Sequence, residues 1–110
     1  MCGTNDEAVF NRVRAPMLFM GKNVFLCGGP GNGQVAKACN NMALAIQMMS
    51  VAEALALGDK LGMDPAKISE IMSTSTSRCW SVDTYNPIPN YMEGLPAGRD
   101  YENGFNAELV

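Results

Sequence analysis

The chain has 110 residues, 47% of them hydrophobic and 17% charged, and carries a net charge of -3. That length suits about one ordinary domain, and the charge balance excludes a strongly basic nucleic-acid binder. Histidine is absent. Ser-His-Asp and Cys-His catalysis and His-ligated metal sites therefore cannot arise within the chain, and any proton transfer falls to Lys, Asp, Glu, Tyr or Cys.

The first predicted element is a helix opening at Asp6-Glu7, with Thr4 or Asn5 as its cap. Val9, Phe10, Val13, Met17 and Leu18 recur at helical spacing, Pro16 is expected to kink or loosen the last turns, and Gly21 ends the pattern. Asn23 to Cys27 reads as one short strand between glycines. A glycine-rich turn, Gly28 to Gly33, leads into a long helix from about Gly31 or Gly33 to Leu61. Some 28 residues at the helical rise make a spine of about 42 Å. Its apolar residues lie on nearly every side, which predicts burial by other elements. Its most apolar stretch, Met42 to Leu57, is broken by Gln47, Ser50 and Glu53 and is expected to fall short of a membrane span. No targeting segment is evident.

Gly62 predicts a helix stop, and Asp64-Pro65 a capped start for a second helix to about Met72, with Ile68, Ile71 and Met72 inward. The stretch from Asp83 to Asn103 holds Pro87, Pro89 and Pro96 and reads as a long ordered loop. Phe105 to Val110 begins another predicted helix. The four cysteines have no zinc-ribbon or redox spacing and read as reduced, mostly buried thiols.

Lys37 is the best candidate for chemistry. Gln34, Lys37 and Asn41 share one face of the long helix. An apolar surround would lower a lysine pKa and let it exchange a proton with an alcohol oxygen, while Asn41 could orient a hydroxyl or carboxylate. A lysine reaching into solvent beside a plain contact asparagine is the competing reading. The glycine turn lacks the third glycine of a dinucleotide fingerprint, and its lysine is misplaced for a phosphate loop. Trp80, the only tryptophan, is either a core anchor or a pocket wall, and Phe105 likewise. Arg78 is expected to pair with Asp83 or with a carboxylate ligand.

Gly31-Asn32-Gly33-Gln34-Val35-Ala36-Lys37-Ala38-Cys39-Asn40-Asn41 resembles the G-x-G-x-x-x-K-x-x-x-N signature of the β-hydroxyacid dehydrogenases. Ser77 to Pro87 is similar to the branch that oxidises 3-hydroxyisobutyrate to methylmalonate semialdehyde in valine catabolism. The resemblance covers the whole chain. It implies a mostly α fold: the end of a Rossmann α/β domain over residues 1–29, with one helix and one strand, then over 30–110 a long interdomain helix and the start of an all-α domain like that of 6-phosphogluconate dehydrogenase. It implies NAD as cofactor, Lys37 as the catalytic acid/base, and Asn41, Gly31, Gly33, Trp80 and Phe105 as substrate-binding residues. A small hydroxy-acid substrate, a homo-oligomer in the complete enzyme, and no nucleic-acid or membrane partner are also implied. So is a mitochondrial matrix location in a eukaryote, or otherwise a cytoplasmic one. The cofactor fingerprint and a substrate-binding motif would lie ahead of Met1 and a Lys-Asp pair beyond Val110, so the chain reads as an internal segment, inactive alone. The remaining readings are a tartronate or succinic semialdehyde reductase and a non-catalytic helical association fragment.

Overall fold

The computed structural model describes residues 1–104. The predicted helix at Phe105 to Val110, and the role of Phe105, lie outside the described residues. The chain forms two compact units, Met1–Ala43 and a second beginning at Leu44, and the division falls inside the long helix.

In the first unit Asp6 caps α1 (Glu7–Leu18), its carboxylate accepting from the Ala8 and Val9 amides. Thr4 cannot serve as the cap because its Oγ1 accepts from the Asp6 amide instead. The helix runs through Pro16 and ends two residues later in tightened i→i+3 bonds from Phe19 and Met20. The predicted strand does not form. Among the described residues it is reduced to a single parallel bridge between Cys2 and Leu26. Cys2 donates to Phe25, Cys27 to Cys2 and Thr4 to Gly28, after which the first segment turns into α1. Three backbone bonds, all made with Cys2 or Thr4, are too few for a strand over this stretch.

The long helix, α2 (Asn32–Lys60), matches expectation in extent. Its burial does not: Val51 and Leu55 are buried, whereas Val35, Met42, Ile46, Met49 and Leu57 are exposed. Lys37, Glu53, Asp59 and Lys60 are its only charges. By length and composition it is long and apolar enough to cross a membrane, with mean hydropathy 1.3 over its most apolar 18 residues. The expectation that it falls short considered 42–57 alone, and the helix extends past both ends of that stretch.

The second unit is built on Val51 and Leu55 of α2 and Val82, with Ile68, Met72, Cys79 and Ile88 packed around them. Gly62, at φ +84°, stops α2 in the left-handed conformation that glycine adopts freely. Asp64 then accepts from the Ala66 amide and caps α3 (Pro65–Thr74) as predicted. Ile68 and Met72 are half-buried, but Ile71 is exposed and Ser69 is buried in its stead. A short helix, α4 (Trp80–Asp83), packs on α3. The proline segment is ordered by local bonds: the Tyr101 hydroxyl donates to the Pro87 carbonyl, and Pro96–Gly98 forms one 3-10 turn. All four cysteines are free, with Cys39 exposed and the others half-buried, so the mostly buried thiols expected are not found.

Candidate functional site

The glycine turn is shaped by the chain's own first residues. The Asn32 amide side chain donates to the Cys27 carbonyl at 3.0 Å, closing the turn. Gly33 is buried, and a Cβ there would stand 2.9 Å from the Met1 carbonyl oxygen. Its missing side chain is thus used for close backbone packing. Gly31 differs: it has φ +89°, and nothing lies within 4 Å of where a Cβ would stand. It serves the left-handed turn and leaves open space beside the helix start. Because the close approaches at Gly29 and Gly33 are filled by Asn5 and Met1, this turn does not fit a dinucleotide phosphate cradle.

From that turn α2 carries Lys37 and Asn41, one turn apart on one face. Lys37 is exposed and makes no hydrogen bond or ion pair among the described residues, while Asn41 is half-buried. The desolvated lysine expected from the helix's own apolar residues is not observed. A helix cannot bury its own side; that requires other elements packed on it. What remains is an exposed amine one helical turn from a half-buried amide.

Trp80 belongs to the second unit. It is 47% exposed, which removes the core-anchor reading. Tyr85 stacks on it with ring centroids 5.2 Å apart and planes inclined by 12°. Arg78 pairs with Asp83 at 2.7 Å, the structural pairing expected. The Asp83 carboxylate, by hydrogen bond first and by charge second, raises the guanidinium above its ordinary range. An open cavity of about 250 Å³ lies within the proline segment, lined by Asn90, Met92, Glu93, Leu95 and Arg99 among others, and none of the predicted site residues among the described residues lines it.

Sequence reasoning missed three buried polar side chains. Asn86, Ser69 and Ser81 are 1%, 2% and 0% exposed. Asn86 bonds Ser69 at 2.6 Å across 17 positions of sequence. Its only local signal was the Asn-Pro pair that favours a turn.

Residues 31–110 match the family model described as NAD-binding of NADP-dependent 3-hydroxyisobutyrate dehydrogenase. The chain belongs to that family. It is 52% identical over 98% of its length to the mitochondrial 3-hydroxyisobutyrate dehydrogenase of Homo sapiens, covering 32% of that protein. Over its full length it is 45% identical to the probable mitochondrial enzyme of Arabidopsis thaliana, covering 31% of it. The structure superposes on Mycobacterium tuberculosis 3-hydroxyisobutyrate dehydrogenase with L-serine at TM-score 0.84 and 38% identity, covering 92% of this chain and 35% of that one. The chain therefore spans about a third of the length of the curated relatives it matches.

Proposed function

We propose that this chain supplies the lysine-bearing helix of an NAD-dependent 3-hydroxyisobutyrate dehydrogenase and that it does not turn over substrate alone. The observation that carries the reading is Lys37 standing unpaired, one turn from Asn41, at the start of a helix inside the matched region. In the complete enzyme the Lys37 side chain takes the hydroxyl proton as 3-hydroxyisobutyrate becomes methylmalonate semialdehyde, and returns it in reverse; NAD, when bound, would accept the hydride. Asn41 orients the hydroxy acid through its amide, and Gly31 leaves room for the substrate carboxylate. Gly33 acts by holding the helix start against Met1. Trp80 and Phe105 line the substrate pocket of the complete enzyme. The residues that hold NAD are not assigned within this chain.

Residues 1–29 then belong to the nucleotide domain and 30–110 to the helical domain. The complete enzyme is a homo-oligomer, mitochondrial in a eukaryote as its named relatives are. The test is a substrate panel on the dehydrogenase carrying this chain. Oxidation of 3-hydroxyisobutyrate in clear preference to the tartronate and succinic semialdehyde couples supports the assignment; the reverse preference sinks it. Tight NAD binding by the 110-residue chain in calorimetry would contradict its dependence on the rest of the enzyme.

One observation favours a second reading, an association module without catalysis: the uncovered apolar side chains of α2. It requires self-association or binding to full-length subunits that survives loss of the Lys37 amine, with turnover unaffected by that loss.

A further inference from the structure

Among the described residues of the second unit, Asn86 is the side chain with the most hydrogen bonds. Its amide nitrogen donates to Ser69 Oγ at 2.6 Å and to the Val82 carbonyl at 3.1 Å. Its own oxygen accepts from the Ile88 amide at 3.1 Å. Both amide hydrogens and one acceptor site are thereby used. Three pieces of chain meet at this one side chain: α3 through Ser69, α4 through Val82, and the start of the proline segment through Ile88. The bond to Ser69 is the only fully buried hydrogen bond between two side chains among the described residues.

Such a pair is an expensive way to fill space. Buried polar groups stabilise little beyond what well-packed apolar groups would, but a fully satisfied network admits one geometry. The geometry admitted here is that of residues 82 to 88. Tyr85 immediately precedes Asn86, its amide donates to the Trp80 carbonyl at 3.3 Å, and its ring covers one face of the indole. Holding Asn86 therefore holds Tyr85 on Trp80 and sets how the exposed part of the indole is presented.

We propose that Asn86, anchored by Ser69, is a positioning residue that fixes the Trp80–Tyr85 pair as an apolar wall for the carbon chain of a small hydroxy acid. The proposal rests on the reading of Trp80 as pocket lining. It acts at one remove: neither Asn86 nor Ser69 touches substrate, and both act through the backbone that carries the two rings.

The test uses two levels. In the 110-residue chain the single tryptophan makes near-ultraviolet circular dichroism a reporter of the ring pair. Ser69→Ala removes one acceptor while leaving the Asn86 bond to Val82. It is expected to weaken that aromatic signal with the helical signal unchanged, and Ser69→Thr, which keeps the hydroxyl, is expected to retain it. Asn86→Ala is the stronger variant, and Ser69→Ala serves if it does not fold. In the dehydrogenase carrying this chain, Ser69→Ala is expected to raise KM for the hydroxy acid about five-fold with kcat within about two-fold of the parent. A folded Ser69→Ala variant with unaltered aromatic signal and unaltered KM overturns the proposal, because a merely stabilising bond would change only the melting temperature. If Trp80→Leu leaves KM unchanged while Ser69→Ala still alters the aromatic signal, the pocket reading of Trp80 is overturned and the positioning of the rings by Ser69 and Asn86 stands.

Discussion

Ile68 of α3 places its Cδ1 where a side chain on Gly58 of α2 would stand. Glycine inside a helix costs about 0.5–1 kcal/mol relative to alanine, so a bare Cα in the last turns of α2 needs a reason, and close approach of the second helix is one. Gly58→Ala is expected to lower stability by about 1 kcal/mol, the overpacking cost outweighing the gain in helix propensity. In an Ile68→Val background, which lacks Cδ1, the same change becomes neutral or stabilising. Urea denaturation of the four proteins in the cycle decides it. Strictly additive effects would show that the two side chains do not compete for that space.

The Asp64 cap was legible in sequence because it is local. Its acceptor and the Ala66 amide lie two residues apart, and Pro65 fits the first helical position. Asp64→Ala is expected to cost about 1 kcal/mol, read as a lower denaturant midpoint at unchanged slope. Asp64→Asn, which keeps an acceptor, recovers most of it. The cap of α1 is Asp6 and not Thr4 or Asn5, and for Thr4 the reason is equally local, its hydroxyl being engaged by the Asp6 amide. Features that depend on distant chain were not legible. The predicted strand at Asn23 to Cys27 is reduced to one bridge between Leu26 and Cys2, the exposure of Lys37 depends on what packs against α2, and Asn86 meets Ser69 across 17 positions.

Ser81 presents the opposite case to Asn86. Its side chain is fully buried, and its Oγ has no hydrogen-bond partner among the described residues. A buried hydroxyl without a partner costs about 1–3 kcal/mol of desolvation. Ser81→Ala removes that cost and leaves only a small space, so stability is expected to stay level or rise by about 1 kcal/mol. A clear loss of thermal stability in Ser81→Ala would mean that the hydroxyl is satisfied.

The pH dependence of the surface pairs has a definite sign. Glu70 raises the Lys67 ammonium above the ordinary lysine range, first through their 2.7 Å hydrogen bond and second through charge. A raised basic group contributes stability that is complete below its unfolded pKa and is lost as pH rises through its folded pKa. For Lys67 that window is strongly alkaline. The melting-temperature difference between the parent and Lys67→Gln should therefore be constant from about pH 6 to about pH 8. It should also be small and salt-sensitive, since both side chains are mostly exposed. A difference that changes across neutral pH would point to another titrating partner for Lys67.

Lys37 separates chemistry from stability. Its side chain is exposed and bonds no described residue, so Lys37→Ala should leave the melting temperature of the 110-residue chain unchanged. In the dehydrogenase carrying this chain the same substitution should lower kcat by about 100- to 10,000-fold, the usual contribution of a positioned acid/base. Lys37→Arg keeps the charge, but a guanidinium does not give up its proton near neutrality and cannot accept one from an alcohol. It should be nearly as defective as the alanine variant, with substrate affinity closer to the parent. If Lys37→Arg retained most of the turnover, the side chain would be acting only as a positive charge beside the substrate carboxylate. If Lys37→Ala destabilised the fold as much as it slowed the reaction, the side chain would hold structure, and the proton transfer would have to be sought in another residue of the complete enzyme.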